Sequence, residues 1–153
     1  MAQLELTSSH VPWWPYPKLI GWDDVGDGSV FTAQARRGGP PERVWKNADR
    51  TRDAYRDSTA YTLETLTSYV ERYGDDRLVL IFLGDHQPAS IITGDDPSHD
   101  VPITIAARDP SVLNRIADWD WNDGLKPGPQ APVWPMEAFR DRFMSAFGEV
   151  PPH

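Results

Sequence analysis

Apolar residues follow several different rules along this chain. In "QLELTSSH", Leu4 and Leu6 alternate with polar neighbours, which predicts a short strand that ends at Pro12. Residues 13–48 sustain no period and are rich in Pro, Gly and Trp. The expectation there is a long aromatic-pinned excursion with a short strand near Val30-Phe31, functional or peripheral in role. From Asp49 the pattern turns helical. Tyr55, Thr59, Leu63, Leu66, Val70 and Tyr73 step by three or four, Asp49 can cap the start, and Gly74 stands where a helix should stop.

Leu78 to Leu83 then run without a polar interruption, as expected of a strand covered on both faces. "VPITIAA", 101–107, predicts a second such strand. Asp109-Pro110 follows at once, a cap plus a first-turn proline that opens a short helix through Ile116. Met136, Phe139, Phe143 and Phe147 mark a final amphipathic helix, entered through Pro135 and closed at Gly148. Helices alternating with fully apolar strands predict an α/β, three-layer α/β/α architecture with a mostly parallel sheet. The expectation is a single domain over 1–153, with 124–135 as a surface crossover.

Composition narrows the function classes. The 153 residues are 39% hydrophobic and 25% charged, a globular balance long enough for one ordinary core. Net charge is −8 and the sequence pI about 4.8, so neither nucleic acid nor an anionic lipid surface is an expected partner. The absence of cysteine removes disulfides, thiolate catalysis and Cys-ligated zinc. No apolar run approaches the roughly 18 residues of a membrane span, and "MAQLELTSSH" lacks the basic and apolar regions of a signal peptide. The chain as it stands is expected to be soluble.

Candidate chemistry centres on Gly84-Asp85-His86-Gln87, directly after the apolar run. In open parallel sheets, ligands collect beyond the carboxyl ends of strands. A carboxylate beside an imidazole there suits a divalent cation, which uses both side chains as ligands. The bland alternative is a strand-to-loop turn carrying two exposed polar residues.

The surrounding text adds a resemblance. "LVLIFLGDHQP" resembles the strand and Gly-Asp-His signature of the alkaline phosphatase/sulfatase superfamily. "LTSSHVPWWPYP" and "RDAYRDSTAYTLETLTSYVERYGDD" are similar, in order and spacing, to preceding stretches of its sulfatase-like, lipoteichoic-acid-synthase-like branch. "SHDVPITIAARD" resembles the Val-Pro strand that comes next, so the likeness covers about residues 4 to 109. It implies that Asp85 and His86 ligate a divalent metal ion (Mn, Zn, Mg, Ca or Fe). It also implies that His10 contacts the transferred group of an anionic phospho- or sulfo-ester, and that His99 reaches the same rim.

The resemblance implies further groups that these residues do not supply. Family members carry a Thr, Ser or formylglycine nucleophile and more acidic ligands, on strands preceding the stretch that corresponds to residue 4. No such motif occurs in this sequence. The chain therefore reads as the C-terminal portion of such a domain, lacking its N-terminal half and inactive alone. Its parent is expected to be a metal-dependent hydrolase or phospho-group transferase, membrane-anchored with this domain extracytoplasmic. The competing reading is a non-catalytic relative that binds an anionic glycan or a protein.

Three other constellations carry less. Trp13 and Trp14, among prolines after His10, could wall a substrate or simply pack a loop. Arg36 and Arg37 could attract an anion, or be an exposed loop pair. "DWDWNDG" has alternate acids like a calcium loop, but Asp123 occupies the slot that needs glycine and Pro129 the slot of the bidentate Glu. No Gly-rich phosphate loop, Gly-x-Ser-x-Gly elbow or His-Glu-x-x-His helix is present.

Overall fold

The computed structural model describes residues 1–148. Its regular elements are, in order, helices α1 (Ser29–Gly38), α2 (Glu42–Trp45) and α3 (Ala48–Tyr73), strand β1 (Val79–Leu83), helix α4 (Ser90–Thr93), strand β2 (Ile103–Ala107), and helices α5 (Pro110–Asn114) and α6 (Met136–Phe147). Single 3-10 turns lie at Trp22–Asp24 and Ala117–Trp119.

The expected three-layer α/β/α domain with a mostly parallel sheet is not what forms. Helix dominates, and among the described residues the sheet has two strands, paired antiparallel with Val79 opposite Ala107 and Leu83 opposite Ile103. Parallel pairing needs a crossover that carries the chain back to the first strand's starting end. Here the connection from Gly84 to Pro102 leaves from one end of β1 and enters β2 at that same end. An unalternated apolar strand fits either pairing, so periodicity alone could not choose between them. Nor are these strands covered on both faces: Val79 and Leu83 are exposed and the positions between them half-buried.

The chain divides into two compact units. The first comprises Met1–Tyr73 and Pro88–Pro97; the second comprises Gly74–Gln87 and the described residues from Ser98 to Gly148.

The first unit is organised along α3. Its cap is Asn47, not Asp49: the Asn47 Oδ1 accepts from the Arg50 N–H at 3.0 Å. The buried positions of α3 are the small residues Thr51, Ala54 and Ser58, which recur at helical spacing. Of the longer side chains in the expected stripe, Leu63 and Tyr73 are exposed and Tyr55, Leu66 and Val70 half-buried. Two of the buried hydroxyls here are satisfied within the chain, Thr51 by the Val44 and Asn47 carbonyls and Ser58 by that of Tyr55, whereas the buried Thr59 hydroxyl has no partner among the described residues.

The segment before α1 runs along this helix. Trp13 lies stacked on Trp45 and edge-on to Tyr55, and it is 2% exposed. The Tyr16 hydroxyl donates to Asp57, Ser8 bonds to Thr62, and Trp22 lies edge-on to Tyr69 and Tyr73. The excursion is therefore pinned by aromatics as expected, but it is not irregular throughout. The strand expected near Val30-Phe31 is inside helix α1. Gly28, at φ +85°, turns the chain into it, and Asp27 Oδ1 accepts from the Ser29 N–H. Ala33, Gln34, Ala35, Arg36 and Arg37 then supply strong helix propensity. The N-terminal strand is also absent: Leu4, 79% exposed, lies in chain without regular structure.

The second unit gathers its aromatics around Trp119, which with Ile116 is buried. Trp119 meets Trp121, Trp134 and Phe139 edge-on, and Phe139, Phe143 and Phe147 continue the row along α6. Asp109 caps α5 as its sequence predicts, accepting from the Ser111 N–H at 2.9 Å ahead of Pro110. Between Gly124 and Pro135 there is no helix or strand.

Candidate functional site

Antiparallel register decides which residues share an end of the ribbon. Because Leu83 faces Ile103, the residues just after β1 and those just before β2 leave from the same end. Asp85, His86 and Gln87 depart there, and His99 and Asp100 arrive there. The Gln87 side-chain amide donates to the Asp100 carbonyl, tying the departing strand to the arriving one. The parallel pairing expected from the sequence would have sent His99 to the opposite end of the ribbon. The corrected topology brings it to the end where Asp85 and His86 lie.

The local hydrogen bonds of His86 set its chemistry. Its Nδ1 lies 2.8 Å from the Gln87 carbonyl oxygen, which can only accept, so Nδ1 carries the proton of the neutral ring. Nε2 is then left with its lone pair. That nitrogen lies 3.8 Å from Asp85 Oδ2, while Asp85 Oδ1 accepts from the His86 backbone N–H. Ligand bonds to a divalent transition metal are about 2.0–2.2 Å long for both donor types, so one ion can touch both atoms at this separation. A ring nitrogen locked by a backbone carbonyl is also the usual way a metal-binding imidazole is oriented. The pair therefore fits a cation as two of its ligands. Among the described residues no group of three or more His, Asp or Glu side chains is placed to hold an ion. Both side chains are largely exposed.

Gly84 is less special than its place suggests. A Cβ there would sit at ordinary contact distance from Val101, and no left-handed backbone conformation demands glycine.

His10 belongs to the first unit. Its Nδ1 lies 2.7 Å from the Val11 carbonyl oxygen, so in the neutral ring the proton is already engaged. Nε2 of the neutral ring can only accept, and donation from it to an ester oxygen requires the imidazolium form. Trp13, offered by the sequence as a substrate wall, is stacked on Trp45, meets Tyr55 edge-on, and donates from Nε1 to the Ser9 carbonyl. Trp14 is half-buried, donating from Nε1 to the Gly38 carbonyl at 2.8 Å. Arg36 and Arg37 are exposed on the last turn of α1 rather than in a loop.

Sequence reasoning missed a cleft in the second unit. It encloses about 570 Å³, and Leu83, His99, Asp100, Trp121, Trp134 and Phe139 are among its lining residues. Its wall is mostly apolar, with His99, Asp100 and Asn122 supplying polar groups. Asn122 braces the wall by accepting from the Gly128 N–H at 2.8 Å. The signal available beforehand was the proline- and tryptophan-rich "KPGPQAPVWP", which stood out by composition without indicating a concave surface.

No family model, curated protein or solved structure matches the chain.

Proposed function

We propose that this chain contributes the Asp85–His86 pair to a divalent-cation site that serves hydrolysis or transfer of a phosphoric or sulfuric ester. The observation that carries the reading is the disposition of the pair: Nδ1 of His86 bound to a backbone carbonyl, and Nε2 3.8 Å from Asp85 Oδ2. The likeness of "LVLIFLGDHQP" and its flanking stretches to the alkaline phosphatase/sulfatase superfamily agrees with it, at the level of motif. A bound cation would polarise an ester oxygen and offset the charge that develops during transfer.

In this account Asp85 and His86 hold the ion and Gln87 fixes the rim by its bond to Asp100. His99 lies at the same end, and its imidazole is suited to an ester oxygen or to the cation. The reading requires a nucleophile and further acidic ligands beyond those named here, so these 153 residues alone are expected to give no turnover.

The test is anion binding. Titration calorimetry with inorganic phosphate or sulfate should show binding that requires Mn²⁺ and disappears in His86→Ala. Binding that ignores Mn²⁺, or that survives the substitution, would sink the reading. Robust turnover of an aryl phosphate by the chain alone would overthrow the requirement for outside groups. A second reading, a non-catalytic binding module, has one observation in its favour: the aromatic-walled cleft lined by Trp121, Trp134 and Phe139. It predicts ligand binding that is indifferent to metal.

A further inference from the structure

β1 has one bonded edge and one open edge. Its register with β2 accounts for one side. Among the described residues, the backbone of Val79–Leu83 makes no hydrogen bond beyond that ladder. The strand reads Val-Leu-Ile-Phe-Leu, with no charge, proline or bulge of the kind that blunts an edge, and Leu83 is 48% exposed. Open backbone groups on a strand that is apolar on both faces call for another strand.

The residues flanking β1 say which strand. If a second copy of β1 lies antiparallel to the first, with Ile81 opposite Ile81, every pair has numbers summing to the same value. Leu80 then faces Phe82 and Val79 faces Leu83. Just outside the strand, Arg77 comes opposite Asp85, so opposite charges meet at both ends. Shifting by one residue toward the N-terminus sets Asp76 against Asp85, and shifting by one the other way leaves Arg77 opposite no acid. A shift by two toward the N-terminus sets Asp75 against Asp85. The centred register alone is complementary. The charged groups it uses are open to solvent, Arg77 being 91% and Asp85 86% exposed at the side chain. The β2 edge offers no such match: centred on Ile105 it would set Pro102 against Arg108 and Val101 against Asp109.

We propose that the open edge of β1 pairs with β1 of a second copy of this chain, in the register centred on Ile81, to form a four-stranded antiparallel sheet across a two-fold axis. Such an interface is self-complementary and closes at two copies. It places Arg77 of the partner subunit beside Asp85 at each end. The inference stands whether or not Asp85 and His86 take a cation.

Sedimentation equilibrium on the full chain tests this, with Arg77→Asp, Asp85→Arg and the double exchange. The expected results are a discrete dimer for the native chain and about tenfold weaker association in each single variant, which puts like charges opposite twice per dimer. The double exchange should recover most of that loss. All four proteins should share one far-ultraviolet circular dichroism spectrum, since both side chains are exposed. Hydrogen exchange supplies a second readout: alternate amides of Val79–Leu83 should gain protection as concentration rises. A monomer at every concentration overturns the proposal. So do open-ended assembly and a double exchange no better than the singles.

Discussion

The indoles of Trp13 and Trp45 lie 5.8 Å apart at an interplanar angle of 15°, a stacked pair that closes the loop before α1 onto the chain leading into α3. Stacking is half of what holds Trp13; the other half is its edge contact with Tyr55 and the bond from its Nε1 to Ser9. Trp13→Ala removes one of the few fully buried large side chains of the first unit. It should destabilise the protein by about 3–5 kcal/mol in urea unfolding. A loss under 1 kcal/mol would mean that the packing described around Trp13 does not form.

Gly38 is constrained from outside its own helix. A Cβ at that position would overlap the ring of Pro15, which is rigid and cannot swing away. Gly38→Ala is therefore expected to cost about 1–3 kcal/mol by overpacking, although alanine favours helix. It should also free the Trp14 indole from the Gly38 carbonyl, with a change in tryptophan fluorescence. A stabilised variant would show that Pro15 does not lie against Gly38.

Much of the local structure was legible in the residues, and the reasons differ by element. α3, α5 and α6 repeat their apolar positions at helical spacing or carry their own caps, so periodicity and side-chain chemistry suffice. Both strands were legible too. Their direction was not, because an unalternated apolar run has the same signature in parallel and antiparallel sheets. α1 was hidden by glycines and a β-branched valine at its start, though its helix formers lie further on. The Asp85–His86 pair could be named from the sequence. The cleft beside His99 could not, because concavity arises from how distant segments pack and has no signature in any one of them.

Three carboxylates carry an acid signature. Asp27 is held below the ordinary aspartate range by the Ser29 N–H, Asp75 by Arg77, and Asp109 by the Ser111 N–H. A lowered folded pKa contributes stability that is fully present above the unfolded value and is lost as pH falls through the folded one. The melting temperature should accordingly drop on acidification through and below the ordinary aspartate range. Asp109→Asn, which can still cap α5, should flatten that drop. An unchanged acid profile in this variant would contradict the assignment to Asp109.

Tyr16 works in the opposite direction. Burial, then the neighbouring Asp57 carboxylate, raises its phenol above the ordinary tyrosine value. A raised folded pKa contributes stability present below the unfolded value and lost as pH rises through the folded one. Tyrosinate absorbance in Tyr16→Phe should lose its most alkaline component. If the variant titrates like the native protein, Tyr16 is not the tyrosine held back.

The proposed binding of a cation by Asp85 and His86 is tested most directly by Mn²⁺ relaxation in a two-dimensional amide NMR spectrum. Two ligands should bind weakly but locally, so sub-stoichiometric Mn²⁺ should first broaden the amides of Gly84 to Gln87, then those of His99 and Asp100. Asp85→Asn combined with His86→Ala should abolish that focus. Broadening spread evenly over the dispersed acidic surface, with residues 84–87 no more affected than the rest, would contradict the account.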